Sequence, residues 1–343
     1  MKNYKINELQ ALGTFLSREL PYFDVREAVL REVADDAGSL AEKEACSEKK
    51  AAVLWKEFKP DYELYQSTGN LVLKTAIGKK WAQKSRYDFD YDNSLLPSYV
   101  FCKTVLGGKQ PEIRYINGYE CKILCAGGDL YRGDTMNSWA TTLREFFSRF
   151  NKEKRYLEYL PESRESIWKA LITPENYRNP LPAYITEFMK VVYTIGNFTP
   201  IPWGLNGPRG LGNTEDYWDL ALLCFYNWYL SRDDESLKKL LQNREEAVSC
   251  CKNWLDGFGT GKTGWNRFVH ENFMAPFVDG PDEDGFGKPK ELWEGHFEGN
   301  VKPGKQEEFM QFFVNAKERI LERGKLISEA FAENMFTCDR ARD

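Results

Sequence analysis

Histidine is nearly missing from this sequence, with only His270 and His296 among 343 residues. No His-Glu-x-x-His pattern exists, and the eight cysteines contain no Cys-x-x-Cys pair. That leaves no ligand set for zinc, so neither a metal nor a cofactor is expected. Long apolar runs are missing too. Crossing a bilayer takes roughly 18 to 20 uncharged apolar residues, and the longest apolar stretch, residues 217–230, is interrupted by Asp219. Glu8, Arg18 and Glu19 break up any apolar core of a secretory signal. These absences predict a soluble, cytoplasmic protein with reduced cysteines and no membrane partner. An excess of one charge is also lacking: the formal net charge of −5 gives no global pull toward nucleic acid or anionic lipid. A serine-hydrolase elbow, Gly-x-Ser-x-Gly, does not occur.

Apolar and aromatic side chains, by contrast, are plentiful. Hydrophobic residues make up 42% and aromatics 15% of the chain, enough to fill a sizeable core. Helical patterns dominate. Residues 24–58 read as charged amphipathic helices in an N-terminal helical region, 1–60. "TTLREFFSRFNKEKR" is amphipathic, "AYITEFMKVVYTI" reads as a short apolar helix, and 214–230 as a strongly apolar one. More polar helices are expected over 233–255, and another over "GWNRFVHENFMAPFV" that Pro276 ends. Phe309, Phe312, Phe313, Ala316 and Ile320 recur at helical spacing in a long C-terminal helix, 304–338. Strand character is clearest at "EIRYINGYECKIL", where Asn117-Gly118 suits a two-residue hairpin turn. The predicted fold class is α+β, mainly α: a helical domain with a small antiparallel β-hairpin or sheet. No Pro/Gly/Ser-rich boundary divides it, so residues 1–343 are expected to form a single compact domain.

Two segments imitate known sites. "GFGTGKTGW", 257–265, ends like a phosphate-binding P-loop, but that loop needs a first glycine where Asp256 stands, and a strand before it. A glycine-rich helix–helix connection with solvent-facing Lys262 and Thr263 is expected instead. "GPDEDGFGKPKE", 280–291, matches part of a calcium loop but has Gly280 in place of the first carboxylate and Lys288 at another ligand position. It reads as a solvated acidic turn.

The segment that best suits a ligand is 193–229. Gly204, Gly207, Gly210 and Gly212 allow a backbone to approach a ligand closely. Arg209 offers a fork for phosphate or carboxylate, and a helix follows, with Asn213 or Thr214 as the expected cap. Asn197 and Asn206 border this loop. Asp216 falls at the helix start and either complements its dipole or contributes to a site. Asp219, Leu223 and Asn227 form one stripe on a helix expected to be buried, where a carboxylate needs a partner. Arg209 is the nearest cation in sequence. The stripe is either a structural pin or the lining of a polar cavity. "GDTMNS", 133–138, is expected to be a turn and helix cap, or to place Asp134 and Asn137 beside Arg209 to hold a hydroxyl-rich or phosphorylated ligand. His270, spaced helically with Phe273 and Met274, is expected to pack in the core.

Thr194-Ile195-Gly196, Asn206 to Gly210 and Asp216 to Leu220 together resemble a bacterial family described only as a domain of unknown function. The resemblance spans about Tyr87 to Phe297. Other members often carry an arginine where this chain has Tyr217. The resemblance implies one family-sized unit and no particular chemistry.

The leading functional expectation is an enzyme or sensor that binds a nucleotide-like or other phosphorylated, hydroxyl-rich small molecule at the Arg209 loop. Two other classes stand beside it. One is a defence or toxin-like effector acting on nucleic acid through Lys79, Lys80, Lys84 and Arg86. The other is a non-enzymatic interaction module using the C-terminal helix.

Overall fold

A computed structural model describes residues 100–107, 111–115, 122–126, 129–137, 139–160, 176–205, 217–299 and 302–340. The expectations for the N-terminal helical region, the 79–86 basic patch, Asn206, Arg209 and Asp216 lie outside the described residues.

Helices dominate, accompanied by one small antiparallel sheet, as the sequence pattern predicts. The sheet runs in sequential order: β1 (Pro111–Tyr115), β2 (Lys122–Ala126), β3 (Asp129–Thr135) and β4 (Phe198–Pro202). The predicted hairpin is β1–β2, but its ladder closes at Tyr115↔Lys122. A two-residue Asn117-Gly118 turn would have set Tyr115 opposite Glu120. The two registers differ by two residues, so each side chain keeps its face and alternation alone does not separate them. Residues 133–135 are strand rather than turn, with Asp134 opposite Thr199. Their partner β4 arrives more than sixty residues later, so no local pattern announces it. β4 carries Pro200 and Pro202, which cannot donate to a ladder; it is the last strand in the order, with no strand beyond it among the described residues, a position that tolerates them.

Seven helices are named here among the described residues: α1 (Trp139–Lys154), α2 (Ala183–Met189), α3 (Trp218–Ser231), α4 (Glu235–Leu240), α5 (Glu245–Asp256), α6 (Gly261–Glu271) and α7 (Gln306–Arg340). One core packs α3 to α6 around Trp218, Phe225, Trp228, Trp265 and Phe268. A second joins α7 to α1 and α2 through Phe146–Phe309 and Phe188–Phe313 ring contacts. All five predicted α7 positions are buried. Each such phenylalanine contributes about 1.5–3 kcal/mol relative to exposure.

A close approach fixes α7 against the 3-10 turn Ile195–Asn197, which leads into β4. A methyl group on Gly196 would lie 2.0 Å from the Ile320 carbonyl oxygen and 2.6 Å from the Gly324 nitrogen. Only a glycine permits that contact. Arg323, fully buried, then donates to the carbonyls of Gly196, Phe198 and Asn272. Burial pushes its guanidinium pKa down to about 9.

Several expectations need correction. α3 begins at Trp218, with Tyr217 at the cap position, so neither Asn213 nor Thr214 caps it. It is not buried all round: Asp219 is buried, Leu223 is half-buried and Asn227 is exposed. The polar stripe thus runs out of the core along the helix. His270 is exposed, because α6 buries Gly264, Trp265, Phe268 and Val269 and the next position turns outward. Residues 257–260 form the predicted helix–helix connection between α5 and α6, and 261–265 already belong to α6. Thr263 faces solvent, but half-buried Lys262 donates to the Phe286 carbonyl at 2.6 Å. Residues 282–285 form a tight acidic turn, in which the Asp282 carboxylate accepts from Asp284 N.

Candidate functional site

The polar residues singled out in the sequence divide into two groups on either side of the α3 start. Asn137, Asp134 and Asn197 lie on one side. Asn197 Oδ1 accepts both from the Asn137 backbone N–H and from its Nδ2, each at 3.0 Å, while Asn197 Nδ2 donates to the Val192 carbonyl at 2.8 Å. Asn137 also forms a β-bridge to Tyr217. Asp134, held in β3, accepts from Trp218 Nε1 at 2.7 Å across 84 residues of chain. These three residues converge on Tyr217 and Trp218. The bonds made by Asp134 and Asn137 span 60 residues or more, which is why a turn-and-cap reading of 133–138 misses them.

Asp219 is one residue further on and turned the other way. Its Oδ1 accepts from Leu220 N at 2.9 Å, and its Oδ2 from Leu292 N at 3.0 Å and from His296 Nδ1 at 2.6 Å. Asp219 and His296 are each only 1% exposed. A carboxylate out of water needs donors of this number and kind. Its buried partner is thus the imidazole of His296. No spacing rule pairs residues 77 positions apart; the one available signal was the scarcity of histidine itself.

The segment that carries His296 is held on three sides. Glu291 accepts from Gly295 N and Phe297 N, at 3.3 and 2.7 Å, closing a turn around its own carboxylate. From α7, Asn315 donates to the Leu292 carbonyl at 2.8 Å and Arg319 to the carbonyls of Lys290 and Glu291. Burial lowers the Arg319 pKa, and the nearby carboxylates of Asp219 and Asp279 oppose that shift. The His296 ring stacks on Trp293, with centroids 3.6 Å apart and planes 22° from parallel. Tyr217 stands perpendicular to the imidazole at 5.3 Å, and its hydroxyl shares a hydrogen bond with Thr142 Oγ1 at 2.8 Å. Tyr217 therefore links the two polar groups.

The start of α3 is not an open anion site. Trp218 N donates to the Met136 carbonyl at 3.1 Å, and Leu220 N is taken by Asp219. The protein's own carboxylate already occupies the positive end of the helix. Among the described residues no group of three or more His, Cys, Asp or Glu side chains could hold a metal ion, and no helix is long and apolar enough to cross a membrane.

Comparison with models of protein families, with curated proteins and with solved structures finds no match.

Proposed function

We propose that the protein is an enzyme or sensor that binds a nucleotide-like or other phosphorylated, hydroxyl-rich small molecule, with the phosphate held by the loop 206–216. One observation carries this reading: the segments at both ends of that loop are anchored along β3 and the residue just after it. Trp203 N donates to the Leu130 carbonyl at 2.9 Å, and Trp218 N to the Met136 carbonyl at 3.1 Å. Six residues of β-strand span about 20 Å, whereas eleven residues fully extended reach about 36–40 Å. A glycine-rich segment carrying Arg209 therefore has slack to curve around an anion between fixed roots. Because the Trp218 and Leu220 N–H groups at the start of α3 are engaged, the phosphate contacts fall to the loop's own amides and to the Arg209 fork. Asn206 and Asp216 are the loop positions nearest in sequence to those roots.

A thermal-shift screen with nucleotides and sugar phosphates tests the reading. A ligand present at 100 times its Kd adds about 2.7 kcal/mol of stability. Stabilisation by at least one phosphorylated compound, with none from its dephosphorylated counterpart, is expected. A flat response to every anion contradicts the proposal.

A further inference from the structure

Arg132 and Trp203 meet diagonally across β3 and the end of β4. Arg132 stands opposite Ile201, and Trp203 lies two positions beyond Ile201 with its N–H bound to the Leu130 carbonyl at 2.9 Å. Diagonal neighbours of this kind are within reach of long and aromatic side chains. The Arg132 guanidinium accordingly lies over the Trp203 ring, 4.9 Å from its centroid. On the side of α5, Cys250 Sγ donates to the Trp203 carbonyl at 3.7 Å. Despite these anchors the indole stays at the surface: Trp203 is 40% exposed, while Trp218, Trp228, Trp265 and Trp293 are each at most 1% exposed.

A lone exposed aromatic is ordinary, but this one is held at its N–H, at its carbonyl and on one face of its ring. Gly204 follows at φ +99°, and a methyl group built on it would meet no heavy atom of the described residues within 4 Å. The chain therefore turns directly after the indole, beside open space. Side chains 130, 132 and 134 share one face of β3. On that face Arg132 holds Trp203 and Asp134 holds Trp218, so the tryptophans on either side of the 206–216 loop are fixed to the same face. The chemistry of the indole selects what can land on it. Its face is flat, apolar and slightly negative, which disfavours phosphate. It offers no hydrogen bond to the hydroxyls of a sugar. A nucleobase brings a flat π-face of its own and stacks on such a ring.

We propose that the face of Trp203 turned away from Arg132 is a stacking platform for the base of a nucleotide. The inference rests on the reading of the ligand as nucleotide-like, and it assigns the part of that ligand which carries no phosphate.

The experiment reads Trp203 itself. The full-length protein is labelled with fluorotryptophan, and the Trp203 signal in its fluorine NMR spectrum is the one that Trp203→Phe removes. The probes are the four ribonucleoside monophosphates and ribose 5-phosphate, which has no base. At least one nucleotide is expected to move the Trp203 signal, and ribose 5-phosphate to leave it in place. Loss of one base stack lowers affinity about tenfold. Trp203→Ala is therefore expected to bind that nucleotide about tenfold more weakly, with ribose 5-phosphate binding unchanged. Trp203→Phe, which keeps a flat ring, is expected to retain most of the affinity. If nucleotides bind and Trp203→Ala binds them as well as wild type does, the platform is overturned and the phosphate cradle stands. A Trp203 signal that no bound nucleotide moves overturns it equally. If a nucleotide moves the signal, loses affinity in Trp203→Ala and binds Arg209→Ala as tightly as wild type, the platform stands and the cradle falls. If no nucleotide binds, the platform is overturned, and binding of ribose 5-phosphate alone would still leave the cradle.

Discussion

His296 Nδ1 and Asp219 Oδ2 stand 2.6 Å apart in the core, although 77 residues of chain separate them. This contact ties the turn 290–299 to the first turn of α3, and α7 grips the same turn from its other side. Replacing Asp219 with alanine strands the imidazole and the Leu292 N–H together. Each buried donor left unmet costs about 1–3 kcal/mol, so a fall of about 2–6 kcal/mol is expected in urea unfolding. Asp219→Asn, which keeps an acceptor, should lose less. A loss below about 1 kcal/mol for Asp219→Ala would mean that the contact does not hold the turn.

Asn197 and Asn227 offer a matched pair of tests. Asn197→Ala leaves the Asn137 N–H and the Val192 carbonyl unmet in the core. At about 1–3 kcal/mol for each such group, the expected loss is about 2–6 kcal/mol. Asn227 lies on the exposed side of α3, so Asn227→Ala should fall within about 0.5 kcal/mol of wild type. Equilibrium unfolding of the two variants side by side measures the contrast, and equal effects would contradict the assigned burial.

Gly196→Ala places a methyl carbon against the backbone of α7, which no side-chain rotation relieves. Overpacking of a core usually costs about 1–3 kcal/mol. A backbone clash should reach the upper end of that range or pass it. Hydrogen exchange on α7 is the sharper readout: protection around Ile320 to Gly324 should fall. Unchanged protection would rule out the close approach.

Lys262→Ala removes the 2.6 Å bond to the Phe286 carbonyl. A loss of about 1 kcal/mol is expected for this half-buried contact, with nucleotide affinity unchanged because the lysine pins a turn. Loss of nucleotide binding in this variant would reopen the P-loop reading.

The helices were legible in the sequence wherever a repeating apolar face was the signal. Phe309 to Ile320 on α7 and the amphipathic run at α1 need no partner to be recognised. β4 and the strand status of Asp134 were hidden, because a ladder partner more than sixty residues away leaves no local period. His270, expected in the core, is exposed for a related reason. Burial of a single polar residue depends on which way its element faces, and on a partner such as Asp219 that no spacing rule supplies. Asn137, Asn197 and Asp219 were legible as residues of interest, but not in their grouping. The structure joins the first two around Tyr217 and gives Asp219 to His296.

Calorimetric titration of the best phosphorylated ligand into wild type and Arg209→Ala tests the central claim most directly. The account predicts at least a tenfold loss of affinity in the variant, about 1.4 kcal/mol or more, with the melting temperature of the ligand-free protein unchanged. Equal affinity in the two proteins would contradict it and remove the loop 206–216 as the phosphate site.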